Sequence, residues 1–170
     1  MGPLPIAYVP PAAEPFPGTV VENLLYALRA HFPGRVRESE AAAYAALEGT
    51  GLLEPLQPYW RRRAAELGPW ELRVLAIARA VVLGPEALLL DAPETGLEET
   101  EVGSLANLVR RQRGRRIVVW ATRRPRIAAR VADKVAVLKQ GKLLESGSAA
   151  EIFLNPRQPE TERYLREATW

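Results

Sequence analysis

The stretch LLLDAPETGLEE, which runs from Leu88 to Glu99, decides the fold class. Its three leucines predict a buried strand that ends at Asp91, and the carboxyl ends of parallel strands are where such sheets place ligands. The next residue is Ala92, whose methyl group cannot accept a proton. The stretch therefore presents one carboxylate at a ligand-binding edge and puts an inert side chain beside it.

Helical and strand patterns alternate on both sides of this stretch. Before it, WELRVLAIARAVVL predicts a helix that begins near Pro69 and ends at Gly84. After it, the patterns predict a helix, the strand RIVVWAT, a helix that begins at Pro125, the strand KVAVLK, a hairpin, and a last helix through ETERYLREA. This alternation indicates an α/β fold with a mostly parallel sheet flanked by helices.

The N-terminal part of the chain is predicted to be mainly helical. Residues 1–18 form a proline-rich arm with room for one short strand at Ile6–Val9. A capping box of Thr19 and Glu22 opens one helix, Ser39 caps the next, and a short helix follows around Trp60 to Leu67. We therefore predict a single domain over residues 1–170: an arm at 1–18, a helical subdomain at 19–67, and an α/β core with a C-terminal tail at 68–170.

Composition excludes several kinds of site. The 170 residues include no cysteine, so disulfides, thiolate zinc sites and cysteine nucleophiles are ruled out, and we expect no metal site. His31 is the only histidine, and its place at the end of a helical pattern predicts an interaction with the helix dipole rather than catalysis. No apolar run is long enough for a membrane span, so we expect no direct membrane insertion.

The positive charge of the chain is unevenly distributed and consists mostly of arginine. The net charge is +3 at pH 7. The largest cluster comprises Arg110, Arg111, Arg113, Arg115 and Arg116. Because guanidinium groups bind phosphates bidentately, an anion or nucleic-acid surface is one interpretation. A solvated helix face with ion pairs is the interpretation that we favour.

Four motifs follow one another in an order that is typical of one family. They are LGPWELRVLAIARA, PEALLLDAPETGLE, VVWATR and AARVADKVAVL. In this order they resemble the C-terminal part of an ATP-binding cassette (ABC) ATPase domain, the nucleotide-binding domain of ABC transporters. EPFPGTVVENLLYALR extends the resemblance towards the N-terminus, and EIFLNPRQPETERYL is similar to the tail of phosphate-import ATPase subunits. The resemblance implies a P-loop NTPase fold, here expected to lack the P-loop strand.

The resemblance also implies that most positions of the nucleotide site are altered. The chain is expected to begin after the P-loop, and no G-x-x-x-x-G-K-S/T motif occurs in it. Four of the family's functional positions have unlike residues here. Pro11 stands at the Q-loop glutamine, and Gly68, Pro69, Trp70 and Glu71 stand at the signature. Ala92 stands at the catalytic glutamate and Arg123 at the switch histidine. A register shifted by one would place Thr122 at the switch instead.

Two acidic residues remain at the positions that the family uses for nucleotide and Mg²⁺. Asp91 stands at the Walker B aspartate and Glu98 at the D-loop aspartate, and we interpret both as a vestige. We expect Asp91 to cap neighbouring amides or to pair with an arginine such as Arg123, rather than to bind a metal ion.

These substitutions lead to one functional prediction and two alternatives. We predict a catalytically inactive ABC-ATPase-like domain, not an enzyme and without ATP or Mg²⁺ as cofactor, that acts as an interaction or regulatory module linked to a phosphate-type importer. Its expected partners are a second copy, a transporter component or an intact ATPase subunit, and its expected location is cytoplasmic, peripheral to the membrane through a transporter. The alternatives are a subunit that completes a composite ATP-binding site with a P-loop from another chain, and arginine-mediated nucleic-acid binding.

Loss of the P-loop strand is expected to leave a gap in the sheet beside RIVVWAT. Buried backbone groups without partners cost about 1 to 3 kcal/mol each, so such a gap has to be closed. We expect direct pairing between Val118 to Thr122 and Val135 to Leu138, or closure of the gap by the proline-rich arm or by another chain.

Overall fold

The computed structural model describes residues 6–12, 14–31 and 40–167. It divides after Ala121 into two compact units. The first contains β1 (Ile6–Val9), α1 (Val20–His31), α2 (Glu40–Leu47), α3 (Leu53–Leu56), α4 (Pro69–Val81), β2 (Ala87–Asp91), α5 (Glu99–Arg110) and β3 (Ile117–Ala121). The second contains α6 (Pro125–Val131), β4 (Lys134–Lys139), β5 (Lys142–Ser148), α7 (Ala149–Leu154) and α8 (Pro159–Glu167). The predicted α/β fold with a parallel sheet is confirmed, whereas the single domain over 1–170 stays a prediction.

The first unit is built on a parallel sheet with the strand order β1, β2, β3. Tyr8 lies beside Leu89, and Leu89 lies beside Val119. Side chains alternate between faces along a strand, so Leu88 and Leu90 point to the opposite face, where both are buried in the core. Helix α4 contacts β1 and α1 on the core side. The sheet therefore brings the carboxyl ends of three strands to one edge.

Local capping signals in the sequence are confirmed where the structure describes them. The Thr19 Oγ1 atom accepts the Glu22 N–H at 3.3 Å, and the Glu22 carboxylate accepts the Thr19 N–H at 2.6 Å. Nδ1 of His31 lies 3.0 Å from the carbonyl oxygen of Ala27 in the last turn of α1. The predicted cap Ser39 lies outside the described residues. Among the described helices, none combines the length and the apolar character that a membrane crossing requires.

The helix predicted around Trp60 to Leu67 is wrong. The segment instead forms 3₁₀ turns at Gln57–Tyr59 and Ala64–Glu66. Its backbone pairs with another segment: Val20 N–H donates to the Arg62 carbonyl at 3.0 Å, and Ala64 N–H donates to the Gly18 carbonyl at 2.9 Å. These long-range hydrogen bonds use backbone N–H and carbonyl groups that would be paired within the segment if it were a helix.

The predicted direct pairing of the third and fourth strands is also wrong. In the described residues β3 pairs with β2, whereas β4 pairs antiparallel with β5. The turn at Gln140 and Gly141, with φ of 49° and 75°, reverses the chain at once and makes β5 the partner of β4. The arm strand β1 lies on the other side of β2, so it does not pair with the free edge of β3.

Candidate functional site

Asp91 ends β2 at the edge where the sequence predicts a ligand. Immediately after it the chain turns through Ala92, whose φ of 41° is in the left-handed region. Two backbone bonds hold this turn: Ala92 N–H donates to the Ala121 carbonyl at 2.9 Å, and Thr95 N–H donates to the Ala92 carbonyl at 3.0 Å. The half-buried Asp91 carboxylate is therefore presented by a fixed backbone at the carboxyl end of the sheet.

The hydrogen-bond partner of Asp91 in the structure is a tyrosine. The Tyr8 hydroxyl donates to Asp91 Oδ2 at 3.0 Å. This bond raises the pKa of Tyr8, with smaller contributions from desolvation and from the carboxylate's charge. The sequence predicts neighbouring amides or an arginine such as Arg123 in this role. Only the strand register reveals the pair, since Tyr8 lies beside Leu89 and Asp91 shares the face of Leu89.

Arg73 of α4 ties together the two loops that flank Asp91. It is 5% exposed and donates to the carbonyls of Pro10 at 3.1 Å, Pro11 at 2.6 Å and Thr95 at 3.3 Å. Burial lowers the pKa of its guanidinium, and the charge of Glu94 partly opposes this effect. Pro11, which the sequence places at the Q-loop position, is thus held through its backbone carbonyl.

Glu94 is a buried carboxylate that is not among the site residues predicted from the sequence. It is 5% exposed, and Oε2 accepts the indole N–H of Trp120 at 2.9 Å. Its charge acts favourably on Arg73. The sequence gives no direct signal that an acid next to an apolar strand is buried. An indirect signal is Arg73, which lies in the mostly apolar pattern of α4 and needs a partner.

The signature positions form the start of α4. Gly68 is the N-cap, with φ of −73° and ψ of 171°, and Pro69 and Trp70 lie in the first turn. The Glu71 carboxylate folds back over this turn, so that a Cβ on Gly68 would lie 2.8 Å from its Oε2 atom. The structure brings these residues together as the first turn of α4.

Other predicted site residues have separate surroundings. Glu98 is the N-cap of α5, where its N–H donates to Glu101 Oε2 at 2.8 Å in a capping box. Arg123 is exposed in the second unit, before α6. Thr122, the alternative switch residue, accepts the Arg124 N–H on its Oγ1 at 3.0 Å.

The arginine cluster at 110–116 is divided among several contacts. Arg111 lies 3.5 Å from the Glu54 carboxylate, and Arg115 lies against Gly49. Arg110 and Arg113 have partners as well. Burial and the charge of Arg115 lower the pKa of Arg116. These separate surroundings give no support to a continuous nucleic-acid surface, and that alternative stays a prediction.

Sequence comparison links this geometry to ATP-binding proteins. The chain is 34% identical over 152 residues to the phosphate import ATP-binding protein PstB 2 of Aliivibrio fischeri, a match that spans 89% of the chain and 56% of the relative. It is 32% identical to PstB of Shewanella denitrificans and 30% identical to PstB 2 of Mycobacterium tuberculosis. No family model matches. The chain thus spans about half the length of the curated relatives it matches.

Phosphate import ATP-binding proteins are homologues of this chain. The fold agrees, since a bacterial Atm1-family ABC exporter with ATP bound matches 98% of the chain with a TM-score of 0.73 and 24% identity, over 29% of its own length. A transporter assigned to the metal-chelate type, in an inward-facing conformation, matches 95% of the chain with a TM-score of 0.76 and 22% identity, over 64% of its own length. The resemblance to the ABC ATP-binding domain family is confirmed.

Two expectations from the sequence are wrong. The chain was expected not to be an enzyme and to use no cofactor, but the relatives it matches are named phosphate import ATP-binding proteins, and this finding contradicts both expectations. The error has a physical reason. A P-loop nucleotide site is assembled from several separate segments, so altered residues in some of these segments do not decide whether the protein binds ATP. The regulatory role and the dimer stay predictions.

The residues around Asp91 fit a metal ion only together with a phosphate ligand. Among the described residues, no group of three or more histidine, aspartate and glutamate side chains is arranged to hold a metal ion. Mg²⁺ does not need such a group, because it is commonly held by one or two carboxylates plus phosphate oxygens and water. Asp91 can provide one such carboxylate in this PstB-like chain.

Proposed function

We propose that this chain supplies the Walker B side of an ATP-binding cassette ATPase in a phosphate-type importer. The observation that carries the proposal is the Asp91 carboxylate, held at the carboxyl end of a parallel sheet in a chain whose homologues are phosphate import ATP-binding proteins. Asp91 would hold the Mg²⁺ ion, which in turn neutralises charge on the nucleotide phosphates.

The phosphate-binding loop of such a site lies outside these 170 residues. No G-x-x-x-x-G-K-S/T motif occurs in the 170 residues, and Gly141 with Lys142 lies in the turn of a hairpin instead. Backbone amides and a lysine are what cradle the phosphates in this class of site. In this proposal Asp91 supplies the Mg²⁺-binding carboxylate, and a phosphate cradle outside these 170 residues completes the site.

The surrounding residues orient Asp91 and fix its loops. The hydrogen bond from Tyr8 holds the carboxylate in one orientation. Arg73 joins the loop after β1 to the loop after β2, so both stay at the same edge of the sheet. Ala92 has no group that accepts a proton, so binding and orienting the Mg²⁺-nucleotide are the tasks that this loop performs.

The same proposal gives the partners and the location. An importer acts at a membrane, and no described helix of this chain is suited to cross one. Because the curated relatives are phosphate import ATP-binding proteins, we place the chain at the cytoplasmic face, attached through a transporter component, with ATP and Mg²⁺ as its ligands. Deleting the gene should lower uptake of radiolabelled phosphate, and unchanged uptake would contradict the link to phosphate.

Nucleotide binding by the native assembly tests the role of Asp91. The tagged full chain is isolated from its own cells with its bound partners, and Mg²⁺-dependent binding of ATP is measured for the wild type and for Asp91→Asn. Loss of the metal-binding charge should weaken binding by at least about tenfold, or about 1.4 kcal/mol. Glu86→Gln is the matched control, because Glu86 is an exposed acid just before the other end of β2. Equal binding by Asp91→Asn, or an assembly that binds no ATP, would refute the proposal.

A further inference from the structure

The second unit has an apolar groove on its surface. Pro125 and Ala129 of α6, Phe153 and Leu154 at the end of α7, and Leu165 of α8 line it. We call these five residues the α6–α8 groove. Its volume is about 310 Å³, at the lower end of the range for binding pockets. The groove is therefore large enough for the bulky side chains of a partner segment.

The apolar surface continues from the groove onto its rim. Leu154 is 76% exposed, more than any other large apolar residue in the described part of the chain, and its neighbour Phe153 is half-buried. A single exposed leucine is ordinary, but this one adjoins a concave apolar surface. A continuous apolar patch of this kind is typical of an interaction site.

The charge around the groove is positive. Residues 122–170 contain ten arginines and lysines but six aspartates and glutamates. Arg126 and Arg166 line the groove, and Arg130 lies one helical turn after Arg126 on α6. Helix α6 contains no acidic residue. An occupant of the groove therefore meets a basic rim.

The acidic residues at the groove are paired within the second unit. Glu162 is the one acidic residue among those that line the groove, and it forms an ion pair with Arg166 one turn later on α8. Glu160, near the start of α8, accepts a hydrogen bond from Lys139 Nζ at 2.7 Å. The excess of positive charge in this unit is therefore available to carboxylates of a partner.

We infer that the α6–α8 groove binds an acidic amphipathic helix of another protein, with its apolar face in the groove and its carboxylates towards the arginines. A helix packs well into the groove beside two others, and its apolar side chains at intervals of three and four residues fill such a groove. The arginines select the sign of the partner's charge and set its orientation. The groove lies wholly within the second unit, so this binding does not depend on the proposed role of Asp91.

Two other occupants fit the groove less well. A second copy of this chain that docked through the same groove would place basic rims opposite one another, and like charges oppose association. An anionic membrane also attracts arginines, but a flat surface does not fill a concave groove. Shape and charge together therefore favour an acidic helix.

Fluorescence anisotropy with the full chain tests this inference. The probe is a labelled synthetic peptide of about 15 residues, with leucine and phenylalanine at the i, i+3, i+4 and i+7 positions of one helical face and glutamate on the other. It should bind at one to one, and its affinity should fall as salt increases because salt screens the attraction. The same peptide with lysine in place of every glutamate should bind at least about tenfold more weakly.

Two variants and a control locate the binding site. Leu154→Glu places a carboxylate on the apolar surface and should weaken binding of the acidic peptide by at least about tenfold. Arg126→Gln should weaken binding and reduce its dependence on salt. Leu143→Glu is the matched control, because Leu143 is a 59% exposed leucine of β5 in the same unit and lies outside the groove, so it should leave the affinity unchanged. Circular dichroism shows whether each variant is folded.

Several results would overturn the inference. No binding of the acidic peptide to the folded wild-type chain, equal affinity with Leu154→Glu, or equal affinity for the lysine peptide would each contradict it. Binding to vesicles of phosphatidylserine and phosphatidylcholine that Leu154→Glu abolishes would assign the groove to a membrane surface instead. Dimerisation in sedimentation that Leu154→Glu abolishes would assign it to a second copy of the chain.

Discussion

Ala92 has a backbone conformation that is costly for a residue with a Cβ atom. Its φ of 41° lies in the left-handed region, which costs an L-residue about 1 to 2 kcal/mol relative to glycine. The strained turn follows Asp91 directly, and its two backbone hydrogen bonds hold the chain in this conformation. Strain of this kind is commonly stored at functional sites.

Replacing Ala92 with glycine should therefore stabilise the chain. Ala92→Gly removes the strain but adds entropy to the unfolded chain, so we expect a net gain of about 0.5 to 1 kcal/mol in the free energy of unfolding. Urea denaturation measures it. Ala132→Gly is the control: Ala132 has an ordinary φ of −81°, and its replacement should lower the free energy of unfolding. Destabilisation by both variants would contradict the strain at Ala92.

Replacing the buried Arg73 should destabilise the fold. Arg73→Met removes three hydrogen bonds and leaves the Glu94 carboxylate buried without its opposing charge, so unfolding should require about 3 kcal/mol less. Arg61→Met, which removes an exposed arginine paired with Glu40, should cost less than about 1 kcal/mol in the same chemical denaturation. Similar losses for both variants would show that Arg73 does not fix the loops.

Within single elements, contacts between residues close in sequence were predicted better than contacts between distant residues. The capping boxes at Thr19 and Ser148 were predictable because cap and partner lie three residues apart. The 3₁₀ turns near Trp60 were not, because their backbone pairs with residues 18–20, far away along the chain. The bond from Tyr8 to Asp91 escaped prediction for the same reason, since it depends on the register of β1 against β2.

In the second unit, one carboxylate anchors the start of α8. Glu145 of β5 accepts the N–H of Arg157 at 2.8 Å and the N–H of Gln158 at 3.2 Å. The bond from Arg157 is the main reason why the pKa of Glu145 lies below its ordinary value. A lowered pKa in the folded state means that the ionised form stabilises the fold.

Glu145→Gln should therefore have an effect that depends on pH. The stability from Glu145 is fully present above the ordinary pKa of a glutamate, about 4.3, and is lost as the pH falls through the lower folded value. Thermal unfolding of the variant should occur below that of the wild type near neutral pH, and the difference should close in acid. Glu167→Gln, at the exposed end of α8, is the control. A difference that stays constant with pH would contradict the anchoring role.

At the scale of the whole molecule, the sequence predicted the α/β class but not the closure of the sheet. The class followed from alternating patterns within the chain, whereas closure depends on which strands meet. The β4–β5 hairpin formed instead of a direct pairing of β4 with β3, and among the described strands β3 pairs with β2 alone. The altered Ala92 was interpreted as loss of function, although a composite site distributes its chemistry over more than one segment.

Asp91 is proposed to hold the Mg²⁺ ion of a nucleotide site. Isothermal titration of Mg²⁺-ATP into the assembly that the full chain forms in its own cells tests this role. We predict saturable binding by the wild-type assembly, and binding at least about tenfold weaker when the chain carries Asp91→Asn. Failure of the assembly to bind ATP, or equal affinity with Asp91→Asn, would contradict the proposed role.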